Sequence, residues 1–164
     1  MRQMRKLIPF VIFLLSLFIL EGISKGDDRN NDSKYQSNIV VKIKDKSFLM
    51  DIAKTSKERK LGLMYKKSLD SNKGMIFIYN KEKKHPFWMK NTMIPLDIIW
   101  LNKSKQVVYI SKNTQPCKQN DCLSIKPNRR AIYVLEINAN LSDKLGLSIG
   151  DLIEFDDLPS QPTF

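Results

Sequence analysis

The sequence predicts a mainly β, α+β protein: a compact antiparallel domain, barrel-like or sandwich in form, with one α-helix packed on it. Three observations predict this. Apolar side chains recur with period two in several short runs, as in Ile39, Val41 and Ile43 set against Val40, Lys42 and Lys44, and that period sends alternate residues to opposite faces of a strand. Clusters of turn-forming residues separate the runs. Helical spacing with a proper start signal and more than one turn of length occurs only after Thr55. The 164 residues suit one domain plus a leader, and can bury a core without relying on disulfides.

The leader comes first. Arg2, Arg5 and Lys6 precede an apolar run from Leu7 to Leu20, the charged and apolar regions of an export signal. The run is shorter than the ~20 residues that span a bilayer. Gly22-Ile23-Ser24 offers small residues for cleavage before Lys25, and no cysteine stands nearby to carry a lipid. Residues 1–24 are expected to be a signal peptide or, if uncleaved, an N-terminal anchor that meets the membrane through residues 7–20. Either outcome makes the protein exported: periplasmic, secreted or held at the outer side of the cytoplasmic membrane. Residues 25–38 have the polarity of a linker. Residues 39–158 form the single domain, and 159–164 a tail.

Within the domain, the run at 39–43 turns at Asp45-Lys46-Ser47 and returns through Phe48, Met50 and Ile52 as a hairpin. Thr55 and Glu58 have capping-box spacing. The helix they start is expected to reach about Ser68, with Leu61, Met64, Tyr65 and Leu69 on one face. Gly62 inside it costs about 1 kcal/mol against Ala, which implies close packing of that backbone on the sheet. Gly74 to Tyr79 reads as a buried strand, and residues 80–84 as a charged turn. Val107 to Ile110 pairs with the run before it as a second hairpin. Residues 111–130 are irregular. Ala131 to Asn138 is a strand with Tyr133, Leu135 and Ile137 on one face and Val134, Glu136 and Asn138 on the other. Ser142 to Leu145 is a short helical turn, and Leu152 to Phe155 a closing strand.

The densest stretch is His85 to Leu101, which holds both tryptophans and the only histidine. Pro95 divides it, because a central strand cannot run through proline. Before it, Phe87, Met89 and Asn91 alternate with Trp88, Lys90 and Thr92. After it, Leu96 to Leu101 is apolar on both faces, the mark of a strand covered on both sides. Asp97 is the odd residue there, and a buried carboxylate needs partners. The plain account seats it on N–H groups of the turn around Met93–Pro95.

These residues carry a family resemblance. Phe87-Trp88-Met89-Lys90-Asn91-Thr92 followed by Pro95-Leu96-Asp97-Ile98-Ile99-Trp100 resembles the core motif of the "domain of unknown function 192" family. The likeness extends to Glu58-Arg59, Gly62-Leu63-Met64, Gly74-Met75, Phe77, Pro116-Cys117 and Val134-Leu135-Glu136. It implies a compact β-rich domain with one helix and implies no activity. Two departures stand out. Asn140 takes a place where glycine is expected, and asparagine tolerates the left-handed conformation next best. No aromatic residue stands close after Cys122, where Leu123-Ser124-Ile125 follows, which puts a ligand contact from that loop in doubt.

The function classes narrow as follows. The net charge of +11 suits an anionic partner such as lipid or cell-wall polymer, or merely a solvated surface. Nucleic acid is not expected, since no helix-turn-helix, zinc-finger or RNA-sheet signature occurs. Neither a metal nor another cofactor is expected: one histidine and one cysteine pair do not complete a zinc site. Cys117 and Cys122, at C-x4-C spacing in an exported chain, are expected to form a disulfide staple. Asp97 and Glu136 could serve as the two acids of a hydrolase, with Lys90 as electrophilic support. The reading given most weight is a non-catalytic envelope module that binds a ligand or partner through Trp88, Lys90, Asn91, Thr92, Asp97 and Arg59. There an aromatic face adjoins ammonium and amide donors. An accessory protein with protein contacts alone is the remaining alternative. Oligomeric state is left open.

Overall fold

The computed structural model describes residues 38–118 and 121–156. The expected leader, most of the linker and the tail lie outside these residues, while Asn38 already belongs to the first strand. The elements run β1 (Asn38–Ile43), β2 (Lys46–Ala53), α1 (Ser56–Leu61), β3 (Lys73–Lys83), β4 (Leu96–Leu101), β5 (Val107–Thr114), β6 (Ala131–Asn138), α2 (Leu141–Lys144) and β7 (Glu154–Phe155). Both expected hairpins are present, β1 with β2 and β4 with β5.

One sheet holds all seven strands, in the order β5-β4-β6-β3-β2-β1-β7. Its pairs are antiparallel except β2 with β3. That parallel pair needs a crossover, and residues 54–72, with α1, supply it. The sheet curls into a half-barrel, and its two edges are fastened to each other. The Val107 N–H donates to Asp151 O at 2.9 Å, Gly150 to Val107 O at 2.8 Å and Ile153 to Lys105 O at 3.0 Å. Edge groups that would otherwise invite another chain are thereby partly used.

Two cores follow from the curl. Every strand contributes to the inner one, which includes Val41, Phe48, Met50, Ile76, Ile99, Leu101, Leu135, Ile137 and Phe155. The outer core lies on the other face of β3, β4 and β6, with Phe77, Phe87, Met89, Ile98, Trp100 and Val134, and loops cover it. Strand β4 is buried along its whole length because it serves both. Gly74 is required where β3 meets β6: a Cβ there would stand 2.6 Å from the Glu136 carbonyl oxygen.

Several elements differ from the sequence expectation. Helix α1 has six residues, ends at Gly62 and buries none of its own side chains. Gly62 has φ 48° and ψ −138°, a conformation that only glycine adopts readily, so the helix stops there. Leu61, Met64, Tyr65 and Leu69 therefore do not share a helical face, and Leu63 is the side chain that enters the core. Strand β3 continues through the charged residues expected to turn. Strand β5 extends to Thr114. Residues 87–92 are not a strand of the sheet; they make isolated bridges from Phe87 to Ile125 and from Lys90 to Cys117.

Asp97 is fully buried and ties three segments together. Its Oδ1 accepts from the Asn113 N–H at 2.7 Å and the Asn140 N–H at 3.0 Å. Its Oδ2 accepts from the Ser142 N–H at 2.8 Å and the Ser142 hydroxyl at 2.6 Å. The expected backbone N–H partners are real but come from the end of β5 and the start of α2, not from Met93–Pro95. Asn140 takes φ 65°, the left-handed conformation anticipated for it. Replacing Asp97 with Ala strands three backbone donors in a site closed to water. The full chain should lose about 3 kcal/mol or more, read as a lowered urea midpoint; a loss below about 1 kcal/mol contradicts the role given to Asp97.

Candidate functional site

The outer core is overlaid by two short walls that face each other. The first is α1 with the turn after it. Thr55 caps α1 by accepting from the Glu58 N–H at 3.2 Å, while Glu58 accepts from the Thr55 and Lys54 N–H groups at 2.8 and 2.9 Å. Those bonds hold the Glu58 carboxyl below its ordinary value although partial burial pushes the other way. Arg59 pins the helix to the sheet. Its guanidinium donates to the carbonyls of Lys54 and Ile78, the latter at 3.0 Å, and lies over the Tyr79 ring.

The second wall is the stretch from His85 to Ile94. The Trp100 indole N–H donates to His85 O at 2.9 Å, and the His85 ring stacks on Tyr79 with centroids 3.5 Å apart. Burial holds the His85 imidazole below its ordinary value, and the charges of Arg59 and Lys83 add to this against the Lys81 carbonyl bond. Phe87 and Ile125 exchange backbone bonds of 3.0 and 2.7 Å. The Cys117 N–H donates to Met89 O at 3.1 Å. Cys117 and Cys122 form a disulfide with Cα atoms 5.8 Å apart, so the staple fastens the loop that backs this wall. The walls are latched to each other: the Tyr65 N–H donates to Asn91 O, and Asn91 Nδ2 to the Tyr65 hydroxyl, each at 2.9 Å. Both residues adopt positive φ, 66° and 57°.

Between the walls lies a groove of ≈510 Å³ lined by Lys57, Lys60, Leu61, Met64, Tyr65, Trp88, Lys90 and Asn91. Trp88 is 41% exposed and Tyr65 62%, so two aromatic faces are open to a ligand. No carboxylate lines the groove. None of its three lysines belongs to an ion pair among the described residues. The groove therefore carries a concentrated positive potential beside flat apolar surface.

A smaller pocket of ≈20 Å³ adjoins it and shares Lys60, Leu61, Met64 and Trp88 with it; Arg59, Gly62, Phe77, Thr92 and Glu136 also line this pocket. Its volume admits one water-sized group. Glu136 is 5% exposed, and its Oε2 has no hydrogen-bond partner among the described residues. Burial pushes its carboxyl up to about 8. Gly62 keeps the space open. A Cβ there would stand 3.8 Å from Glu136 Oε2 and 3.3 Å from the Phe77 ring. The close packing expected of Gly62 is thus present, at a helix end.

The structure brings Trp88, Lys90 and Asn91 together in the groove, and Arg59 and Thr92 in the adjoining pocket. Thr92 turns inward and is 7% exposed, so it does not share an open face with Trp88 and Lys90. Asp97 lines neither space, and its oxygens are occupied. The register pairs Asp97 with Ile137 and Ile98 with Glu136. The two acids thus stand on opposite faces of the sheet and share no reaction centre. Trp100 is core. Sequence reasoning missed Lys57, Lys60 and Tyr65 as groove residues; the i, i+3 spacing of the two lysines on the capped helix was the available signal. Among the described residues, no three His, Cys, Asp or Glu side chains gather as a metal site needs, and no helix is long and apolar enough to cross a membrane.

The model of the DUF192 family, described as "uncharacterized ACR", matches residues 39–155. A Novosphingobium aromaticivorans protein of unknown function, solved by crystallography, is similar at 34% identity and TM-score 0.63, over 71% of this chain and 83% of that one. A Sinorhizobium meliloti protein described as a candidate transcription regulator is similar at 28% identity and TM-score 0.68, over 74% and 95%. No curated protein matches significantly.

Burial of Glu136 makes stability depend on pH. An unfolded glutamate releases its proton near 4.5, whereas the folded chain keeps this one to about 8. Between those values the unfolded state binds fewer protons, so stability falls as pH rises and the loss is complete above 8. Glu136→Gln removes that term. The urea midpoint of Glu136→Gln should gain on wild type from pH 5 to pH 8, by roughly 3–5 kcal/mol in all. A pH-independent difference contradicts the buried, protonated carboxyl.

Proposed function

For a chain that belongs to the DUF192 family of uncharacterised proteins, we propose the role of a non-catalytic cell-envelope module whose groove beside Trp88 binds an acidic glycan. One observation carries this reading: three lysines that form no ion pair among the described residues converge with exposed Trp88 and Tyr65 on a groove without a carboxylate. A sugar ring offers a flat C–H face to indole or phenol. Its carboxylates match ammonium groups spaced along both walls. The groove volume falls in the range typical of small-ligand sites. Asn91 supplies amide hydrogen-bonding capacity at the rim, although its Nδ2 is already engaged by Tyr65.

The setting outside the cytoplasm rests on two supports. Residues 1–24 have the pattern of an export leader, and the Cys117–Cys122 disulfide suits an oxidising compartment. A hydrolase built on Asp97 and Glu136 loses its basis, because the sheet separates the two acids.

The test is calorimetric titration of the full chain with tetragalacturonate at low and high salt, with duplex DNA and a neutral glucan run in parallel. Wild type should bind tetragalacturonate saturably, more weakly at high salt, and the glucan poorly. Trp88→Ala should weaken binding about tenfold. Replacing Lys57, Lys60 and Lys90 together with Ala should abolish the salt dependence. No binding by wild type, or equal binding by the folded variants, sinks the glycan reading. Tight binding of DNA alone would replace it with a nucleic-acid role, and silence toward all three would leave protein contacts.

A further inference from the structure

The Glu136 pocket is unlike the groove it adjoins: it is far smaller and lined by a buried acid. Its inner wall carries a buried carboxyl with an oxygen that no described group satisfies. Such an atom costs free energy unless something hydrogen-bonds to it. Two glycines make room around the same residue, Gly74 against its backbone carbonyl and Gly62 beside its Oε2. A larger residue at Gly62 would press on the Phe77 ring and narrow the space.

Size and charge restrict what can enter. A pocket of ≈20 Å³ excludes a carboxylate or phosphate and accepts a single oxygen- or nitrogen-sized group. The charged groups around Glu136 are Arg59 and Lys60 from α1, with Tyr79 on β3 close enough to sense it. The neighbours from β4 and from the Trp88 wall, Ile98, Trp88 and Thr92, carry no charge. Two cations at the pocket disfavour an ammonium group. A carboxyl that burial keeps protonated at neutral pH offers one O–H donor and one carbonyl acceptor. A hydroxyl, itself donor and acceptor, matches that pair.

We propose that the Glu136 pocket is a subsite for one hydroxyl group of the polyhydroxylated ligand lying in the Trp88 groove. The proposal rests on the glycan reading of that groove and adds the group that fixes the ligand's register there. Trp88 belongs to both spaces, so a ring stacked on it lies beside the pocket and can direct a ring hydroxyl inward.

The experiment compares tetragalacturonate with the same oligomer methylated on its hydroxyls and left with free carboxylates. Affinity is read by calorimetry on the full chain, with folding of each variant checked by circular dichroism. Wild type should prefer the unmethylated oligomer by about tenfold or more, because the pocket has no room for the added methyl. Glu136→Gln keeps a donor and an acceptor and should retain that preference within about threefold. Glu136→Leu should bind the unmethylated oligomer about tenfold more weakly and lose the preference. If wild type binds and Trp88→Ala does not, while Glu136→Leu binds like wild type, the subsite is refuted and the groove stands. Equal losses in Glu136→Gln and Glu136→Leu also refute it. No binding by wild type refutes groove and subsite together.

Discussion

The carboxylate of Asp97 is the constraint from which the architecture follows. It sits at the start of β4, the strand buried on both faces, and holds the end of β5 and the start of α2 against it. A buried charge of this kind is stable only when every lone pair direction is used. Here four donors use them, and three are backbone N–H groups that would otherwise be orphaned at a strand end and a helix start. The interaction thus solves two problems at once and sets where the chain enters β4 after Pro95.

With β4 so placed, the rest of the layering is forced. A strand apolar on both faces must be covered on both. The curl of the sheet covers one face. The other is left to the connections, which is why the crossover from β2 to β3, the stretch before Pro95 and the disulfide loop all converge on the outer side. Loops packed on a sheet face leave seams between them, and the groove is such a seam. Its walls are not free to drift: Arg59 anchors one to β3, the disulfide loop backs the other, and Tyr65 and Asn91 join them.

Much of this was legible in the sequence, and the failures have definite causes. Period-two alternation reveals strands because each face has its own environment, so β1, β2 and β6 could be read directly, while a run apolar on both faces marked β4. The capping box gave the start of α1. Its end was misread because Leu61, Met64, Tyr65 and Leu69 mimic a helical face, while the stop depends on a positive φ at Gly62 that spacing does not encode. Asp97 stood out as an acid in an apolar strand, yet its partners Asn140 and Ser142 lie more than forty residues away. Trp88, Lys90 and Asn91 were readable as neighbours because they share one short stretch, and they line one groove. Lys57 and Lys60 were not, since one lysine looks like another in a chain of net charge +11 until the fold sets it opposite an exposed tryptophan.

Glu136 contrasts with Asp97. Its strand position faces the outer core, among Phe77, Ile98 and Val134, where a leucine or methionine of similar volume would pack without a desolvation cost. Asp97 is equally buried but is satisfied by the chain itself. Glu136 leaves an oxygen open toward a small space that Gly62 keeps clear. Two buried acids on opposite faces of one sheet thus have opposite accounts. One is explained completely by the bonds it makes within the chain, and the other keeps an oxygen that no described group satisfies, the opening that a hydroxyl in the proposed subsite would fill.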